Sequence, residues 1–133
     1  MRSRLMEPWN IEIGENTIVN EACILDGRGM LKIGNNCSIS TETIIYTATH
    51  STGSKDFAYY EKSTIIGDGV WVGARAMILP GVEISENSVI GACSVVTTGI
   101  YESKGIYVGI PAKRIKERDI DAVDNLKHFL FFR

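Results

Sequence analysis

Long apolar runs are missing from this sequence. No stretch approaches the roughly 18 residues of a membrane-spanning helix. The opening residues, MRSRLMEPWN, have no apolar core of the kind a secretory signal needs. Charge of one sign is missing too. Fourteen Lys and Arg stand against 16 Asp and Glu, a net −2 with no run of like sign, so bulk charge points to neither nucleic acid nor a membrane surface. The three cysteines, Cys23, Cys37 and Cys93, are an odd set without CxxC spacing. They are read as small packing residues in a reducing compartment. Histidine is scarce as well, with only His50 and His128. At 133 residues the chain is expected to be a single domain, 1–133.

What is present is a period. Across residues 66–101 the aliphatics Ile66, Val72, Ile78, Ile84, Ile90 and Val96 fall on one six-residue frame. The next column holds Gly67, Gly73, Leu79, Ser85, Gly91 and Thr97. Four places after each aliphatic come Val70, Ala76, Val82, Ser88, Ser94 and Ile100, all small or β-branched. An amphipathic helix repeats at 3.6 residues and a strand at 2. A strict six fits neither and predicts a parallel β-helix of hexapeptides, with the leading aliphatic inward and the small residue at a tight corner.

The frame extends upstream. Residues 1–10 are expected to be a lead-in, with Trp9 over the open end of the first coil. Ile13, Val19 and Leu25 start the frame, and it restarts two residues late at Ile33, Ile39 and Ile45, after Gly27, Arg28 and Gly29 intrude. Glycines allow such a corner to bulge. The spacing from Ile45 to Ile66 is not a multiple of six, so a loop is expected at about 51–62. A long loop ejected from a regular solenoid is more often functional than decorative. Val108 rejoins the frame, giving about four coils over residues 11–112. Residues 115–131 read as a C-terminal helix, acidic early and basic late, with Ile120, Val123, Leu126, Leu130 and Phe131 on one face, capping the coils or packing on a neighbour.

Several motifs stand on this frame in a telling order: NEACILD at 20–26, IGNN at 33–36, TATH at 47–50, IGDGVWVG at 66–73, ILPGV at 78–82, IGACSVVT at 90–97 and GIPAK at 109–113. Together they resemble the left-handed β-helix, hexapeptide-repeat acyltransferases. Within these the chain is similar to the branch containing maltose, galactoside and exopolysaccharide O-acetyltransferases, over about residues 11–118. Leu25 to Gly29 (LDGRG) and Asp56-Phe57 look most like the exopolysaccharide enzymes. The handedness comes from this resemblance, since parallel crossovers are otherwise right-handed.

The resemblance implies acetyl transfer from acetyl-CoA to a sugar hydroxyl in exopolysaccharide or capsule biosynthesis, without a required metal. A hydroxyl is a weak nucleophile, and histidine, with an unperturbed pKa near 6.5, suits the removal of its proton. His50 matches the family's catalytic base, and the hydroxyl would attack the thioester directly. The oxyanion donor of the family falls on the Ala74 amide. Asp56, Glu61 or a backbone carbonyl are open as the partner that orients His50. The CoA groove would use Ala74, Ala92, Thr97 and Thr98, with Lys113 and Lys116 on the phosphates. Thr98 stands where relatives carry a lysine, which implies weaker CoA binding, and Lys104 is a candidate replacement. Unaided by the resemblance, Lys113, Arg114 and Lys116 would read as a solvated helix start.

For the acceptor, the resemblance offers Asn20 and Asp26, with Trp71 as a wall or as packing. Corner hydrogen bonding is the plainer alternative for Asn20 and Asp26. Arg28, beside Asp26, suits a carboxylate or a phosphate on the sugar. Rival acceptors are the hydroxyl of serine or a sugar amine. A metal-hydrating β-helix would need three histidines at each site, and the chain has two in all. The resemblance further implies a cytoplasmic homotrimer with active sites between subunits.

Overall fold

In a computed structural model that describes residues 2–119, the chain winds through five coils of parallel β-helix with three flat faces. The first coil comprises β1 (Arg4–Met6), β2 (Ile11–Ile13) and β3 (Ile18–Val19). The second comprises β4 (Ile24–Asp26), β5 (Leu31–Ile33) and β6 (Ser38–Ile39). The third begins with β7 (Ile44–Ile45), leaves the solenoid as a hairpin of β8 (Ala48–His50) and β9 (Tyr59–Glu61), and resumes with β10 (Thr64–Ile66) and β11 (Trp71–Val72). The fourth is β12 (Met77–Ile78), β13 (Val82–Ile84) and β14 (Val89–Ile90). The fifth is β15 (Val95–Val96), β16 (Gly99–Tyr101) and β17 (Gly105–Gly109). Strands β1, β4, β7, β12 and β15 form the first face, β2, β5, β10, β13 and β16 the second, and β3, β6, β11, β14 and β17 the third.

The hexad heads build the core. Leu25, Ile45, Ile78 and Val96 stack on the first face; Ile33, Ile66 and Ile84 on the second; Ile39, Val72 and Ile90 on the third. All ten are essentially buried. Each contributes about 2 kcal/mol of burial. The small residues Val70, Ala76, Val82, Ser88 and Ser94 are buried as well, and the left-handed corner falls one residue earlier, at Gly69, Arg75, Gly81, Asn87 and Cys93. Cys23 and Cys37 pack inside, whereas Cys93 lies exposed on its corner.

Several expectations are corrected. There are five coils rather than about four, because β1 pairs with β4 from Arg4–Ile24 to Met6–Asp26. Leu5 stacks on Leu25 at the open end of the inward row, where it is half exposed, but it stands eight residues before Ile13 and so falls outside the six-residue frame. Trp9 sits in a 3-10 turn and is 78% exposed, so it covers nothing. Ile100 leaves the frame: Val82 pairs with Gly99 and Ile84 with Tyr101, one residue short of a full coil, which turns Ile100 outward.

The C-terminal helix does not begin at Ile115. Residues 115–117 belong to β18 (Ala112–Glu117), which runs antiparallel to β17 and satisfies its otherwise open edge. The rest of that expected helix, from residue 120 onward and including His128, lies outside the described residues. Among the described residues two tyrosines close this end of the core. Tyr101 and Tyr107 meet edge to face, with centroids 5.0 Å apart, and their hydroxyls donate to the carbonyls of Thr97 and Glu102. Among the described residues no helix is long and apolar enough to cross a membrane.

Candidate active site

The expected loop at 51–62 is the outer part of the β8–β9 hairpin, which leaves the coils at the edge between the first and second faces. Its base is tied by the Lys62 N–H donating to the Thr47 carbonyl at 2.8 Å. The register places His50 opposite Tyr59, and the two rings meet edge to face at 6.0 Å. His50 is exposed, and its Nδ1 lies 2.7 Å from the Phe57 carbonyl oxygen. A carbonyl has no proton to give, so Nδ1 carries the hydrogen in this bond. The neutral ring then keeps its lone pair on Nε2. Of the three partners left open by the sequence, the carbonyl is the one used. Ser54 donates to Asp56, and Glu61 accepts from the Tyr59 hydroxyl at 2.8 Å.

His50 opens onto a shallow cleft of about 370 Å³, lined also by Arg28, Tyr46, Tyr59, Met77 and Leu79. Composition gave Tyr46, Met77 and Leu79 no distinction. They reach the cleft because Ile44 pairs with Met77, which stacks coil four beside the root of the hairpin.

Arg28 is held by Asp26, which lies under it. The Arg28 Nε and Nη2 donate to Oδ1 and Oδ2 of Asp26, each at 2.9 Å. The Arg28 N–H and the Thr47 N–H also donate to this carboxylate, each at 3.0 Å. Asp26 is completely buried. Burial opposes its ionisation, but the hydrogen bonds from the Arg28 side chain, Thr47 and the Arg28 backbone outweigh it and hold the carboxyl below the usual carboxylate range. The two intruding glycines are sterically required: a Cβ on Gly27 would stand 2.4 Å from the Glu7 carbonyl oxygen, and one on Gly29 2.3 Å from that of Thr47. Asn20 is not in this cleft. It sits at the opposite edge of the first face, where its side chain and N–H both donate to the Ile39 carbonyl.

Of the residues expected on the donor side, Ala74 and Ala92 lie away from the hairpin, whereas Thr97 and Thr98 share its edge. Ala74 and Ala92 occupy exposed, stacked corners between the third and first faces, joined by the Cys93 N–H donating to the Ala74 carbonyl at 2.9 Å. The Ala74 N–H makes no hydrogen bond among the described residues. Thr97 and Thr98 lie at the edge from which the hairpin emerges two coils earlier, and the Thr98 hydroxyl is occupied with the Pro80 carbonyl at 2.7 Å.

Lys113 and Lys116 are three apart in β18, which in a regular strand would put them on opposite faces. A bulge intervenes. Lys113 faces Val108 and Lys116 faces Ile106, so both lysines share the outward face of the third sheet. Trp71 is on that face too, because its row runs from Trp71 through Val89 and Ile106 to Lys116. Three strand spacings make this roughly 14 Å. Trp71 is half exposed and donates to the Ser40 hydroxyl at 3.1 Å. It does not line the His50 cleft. Within one chain, therefore, His50 stands at one edge of the first face, Ala74 and Ala92 at the other, and Trp71 with the lysines on the third face. Among the described residues no three His, Cys, Asp or Glu side chains gather to hold a metal ion.

Residues 63–98 match the family described as bacterial transferase hexapeptide, six repeats. With the stacked coils, this defines a hexapeptide-repeat β-helix protein. The relatives of the chain carry the comparison beyond these repeats. It is 39% identical over 116 residues to a Staphylococcus aureus protein, covering 85% of this chain and 58% of that one. It is 33% identical over 125 residues to the galactoside O-acetyltransferase of Escherichia coli, covering 92% of this chain and 59% of that one. Among solved structures, a maltose O-acetyltransferase from Clostridium difficile superposes with a TM-score of 0.81 at 34% identity, over 90% of this chain and 65% of that one. A Vibrio cholerae hexapeptide-repeat acetyltransferase complexed with acetyl-CoA gives 0.82 at 28% identity, over 88% and 65%. The chain thus spans less than two thirds of the length of these relatives.

Proposed function

We propose that the protein is an acetyl-CoA-dependent O-acetyltransferase acting on a sugar hydroxyl. The observation that carries this reading is the His50–Phe57 hydrogen bond, which occupies Nδ1 and leaves Nε2 free to act as a base beside the cleft that His50 lines. The relatives support acetyl-CoA as donor and a sugar as acceptor. The acceptor oxygen attacks the thioester carbonyl while His50 Nε2 removes its proton. The tetrahedral oxyanion is met by the Ala74 N–H. Collapse breaks the C–S bond, and the imidazolium returns its proton to the departing thiolate of CoA. No acyl-enzyme forms.

Acetyl-CoA lies along Ala74, Ala92, Thr97 and Thr98, with its phosphates toward Lys113 and Lys116. Because Ala74, Ala92 and the two lysines lie away from the edge that His50 shares with Thr97 and Thr98, the oxyanion donor and the base of one chain do not meet, and a complete site needs a second subunit. A homotrimer supplies it, with three sites at three interfaces. The outward row Ile24, Ile44, Met77 and Val95 on the first face offers an apolar surface for such contact. The setting that fits is exopolysaccharide or capsule biosynthesis in the cytoplasm, where acetyl-CoA is made.

The test is CoA release from acetyl-CoA, followed by chromatography, across a panel of sugars. Sugar-dependent release that His50→Ala suppresses is expected. Release indifferent to added sugar, or unaffected by His50→Ala, overturns the reading.

A further inference from the structure

We propose that Arg28 reads the acceptor, and that it selects a sugar carrying a carboxylate or a phosphate near the hydroxyl to be acetylated. This rests on the O-acetyltransferase reading of the His50 cleft. Arg28 and His50 line the same cleft. One edge of the guanidinium is fixed, since Nε and Nη2 are both spent on Asp26. Nη1 has no partner among the described residues. The free edge, Nη1 with the second N–H of Nη2, is a ready two-pronged donor. That fork matches the paired oxygens of a carboxylate or phosphate, and a neutral ring hydroxyl fills only one prong.

The fork is also immobilised in advance. Asp26 is itself pinned by Thr47, and the backbone on either side is confined by Gly27 and Gly29. Ordering a long side chain is one of the ordinary costs of binding, and here the fold has already met it. Asp26 cancels the charge of Arg28 at a distance. Selection therefore acts through short, directional hydrogen bonds and not through a broad positive field. Among the other lining residues, Tyr46, Tyr59, Met77 and Leu79 offer apolar surface to the body of a sugar ring.

The experiment compares methyl glucuronide, glucose 6-phosphate and methyl glucoside as acceptors with acetyl-CoA. The wild type is expected to show kcat/KM at least tenfold higher for one or both anionic sugars. A preference for the glucuronide alone assigns a carboxylate, and one for the phosphate alone assigns a phosphate. In the double variant Asp26→Asn/Arg28→Gln, which removes both charges together, the ratio of anionic to neutral acceptor should fall to within twofold. Arg28→Lys keeps the charge but loses the fork, and should lose most of the preference; this variant decides the question if the double variant does not fold. Absence of preference in the wild type, or a preference that survives these changes, overturns the proposal. If no sugar is acetylated, the proposed reaction fails and binding decides this inference. Saturation-transfer NMR of the same three sugars should then show retention of the anionic ones by the wild type and its loss in the variants. Equal binding of all three sinks it.

Discussion

Thr47 donates twice to Asp26, from its N–H to the carboxylate and from its hydroxyl to the main-chain carbonyl, each at 3.0 Å. These two residues mark the two places where the six-residue frame is interrupted. The Thr47 hydroxyl also accepts the Gly29 N–H at 2.8 Å, so the glycine turn and the root of the hairpin are fastened together. Removing the carboxylate should therefore disturb both.

Asp26→Asn should lower stability at pH 7 by about 1.5–3 kcal/mol, the range for hydrogen bonds to a charged group. The sign of its pH dependence follows from the depressed carboxyl. A folded-state pKa below the unfolded value of about 3.9 means that the native state binds fewer protons, so the stabilisation is present above that pH and is lost as the medium becomes more acid. Denaturant titrations should show the advantage of the wild type over Asp26→Asn shrinking below about pH 4. An advantage that grows with acid would contradict the assignment.

Ile78 and Ile100 both look like frame residues in the sequence, yet one is fully buried and the other 74% exposed. Ile78→Ala should cost about 3–4 kcal/mol through lost burial and the cavity left behind. Ile100→Ala should stay within about 0.5 kcal/mol. Comparable losses at the two positions would mean that the last coil keeps the full frame.

His50→Ala should reduce turnover by about 10²- to 10⁴-fold, the range for loss of a general base. Mixing supplies the test of shared sites. His50→Ala subunits are denatured and refolded with Lys113→Ala/Lys116→Ala subunits, then assayed at low acetyl-CoA, where each parent is nearly silent. Activity above both parents is expected, because some mixed trimers assemble an intact site from two chains. A mixture no more active than its parents would place the whole site in one chain.

The lysine pair should act through the donor alone. Lys113→Ala/Lys116→Ala should raise the KM for acetyl-CoA and weaken its dependence on salt, since exposed charges are screened. Dephospho-CoA should bind the wild type more weakly than CoA. An unchanged KM would move the phosphates elsewhere.

The core was legible wherever an aliphatic recurs at six, and every head from Ile66 to Val96 is buried. Legibility failed where main-chain hydrogen bonding, and not side-chain burial, sets the structure. The inward Leu5 of strand β1 stands eight residues before Ile13 and so does not fall on the frame, and β18 carries charges that also suit the two ends of a helix. The place of His50 at a break in the frame was readable. The Phe57 carbonyl that orients it was not, because every residue has a carbonyl and only the folded hairpin selects one. Lys113 and Lys116 could be named, but their common face depends on a bulge that residue spacing alone contradicts.

The closed root of the β8–β9 hairpin has a wider consequence. Thr47 and Lys62 are bonded to each other, so the chain departs and returns at one point and the strands on either side keep their registers with coils two and four. The segment between them is mechanically in parallel with the solenoid and not in series. Its length can be changed at little cost to the fold, since lengthening a loop costs only about 0.6 kcal/mol per doubling. A donor hairpin that keeps His50 and a carbonyl to hold it would arrive already registered, which makes this position a socket for reshaping the cleft while the rest of the scaffold is left alone.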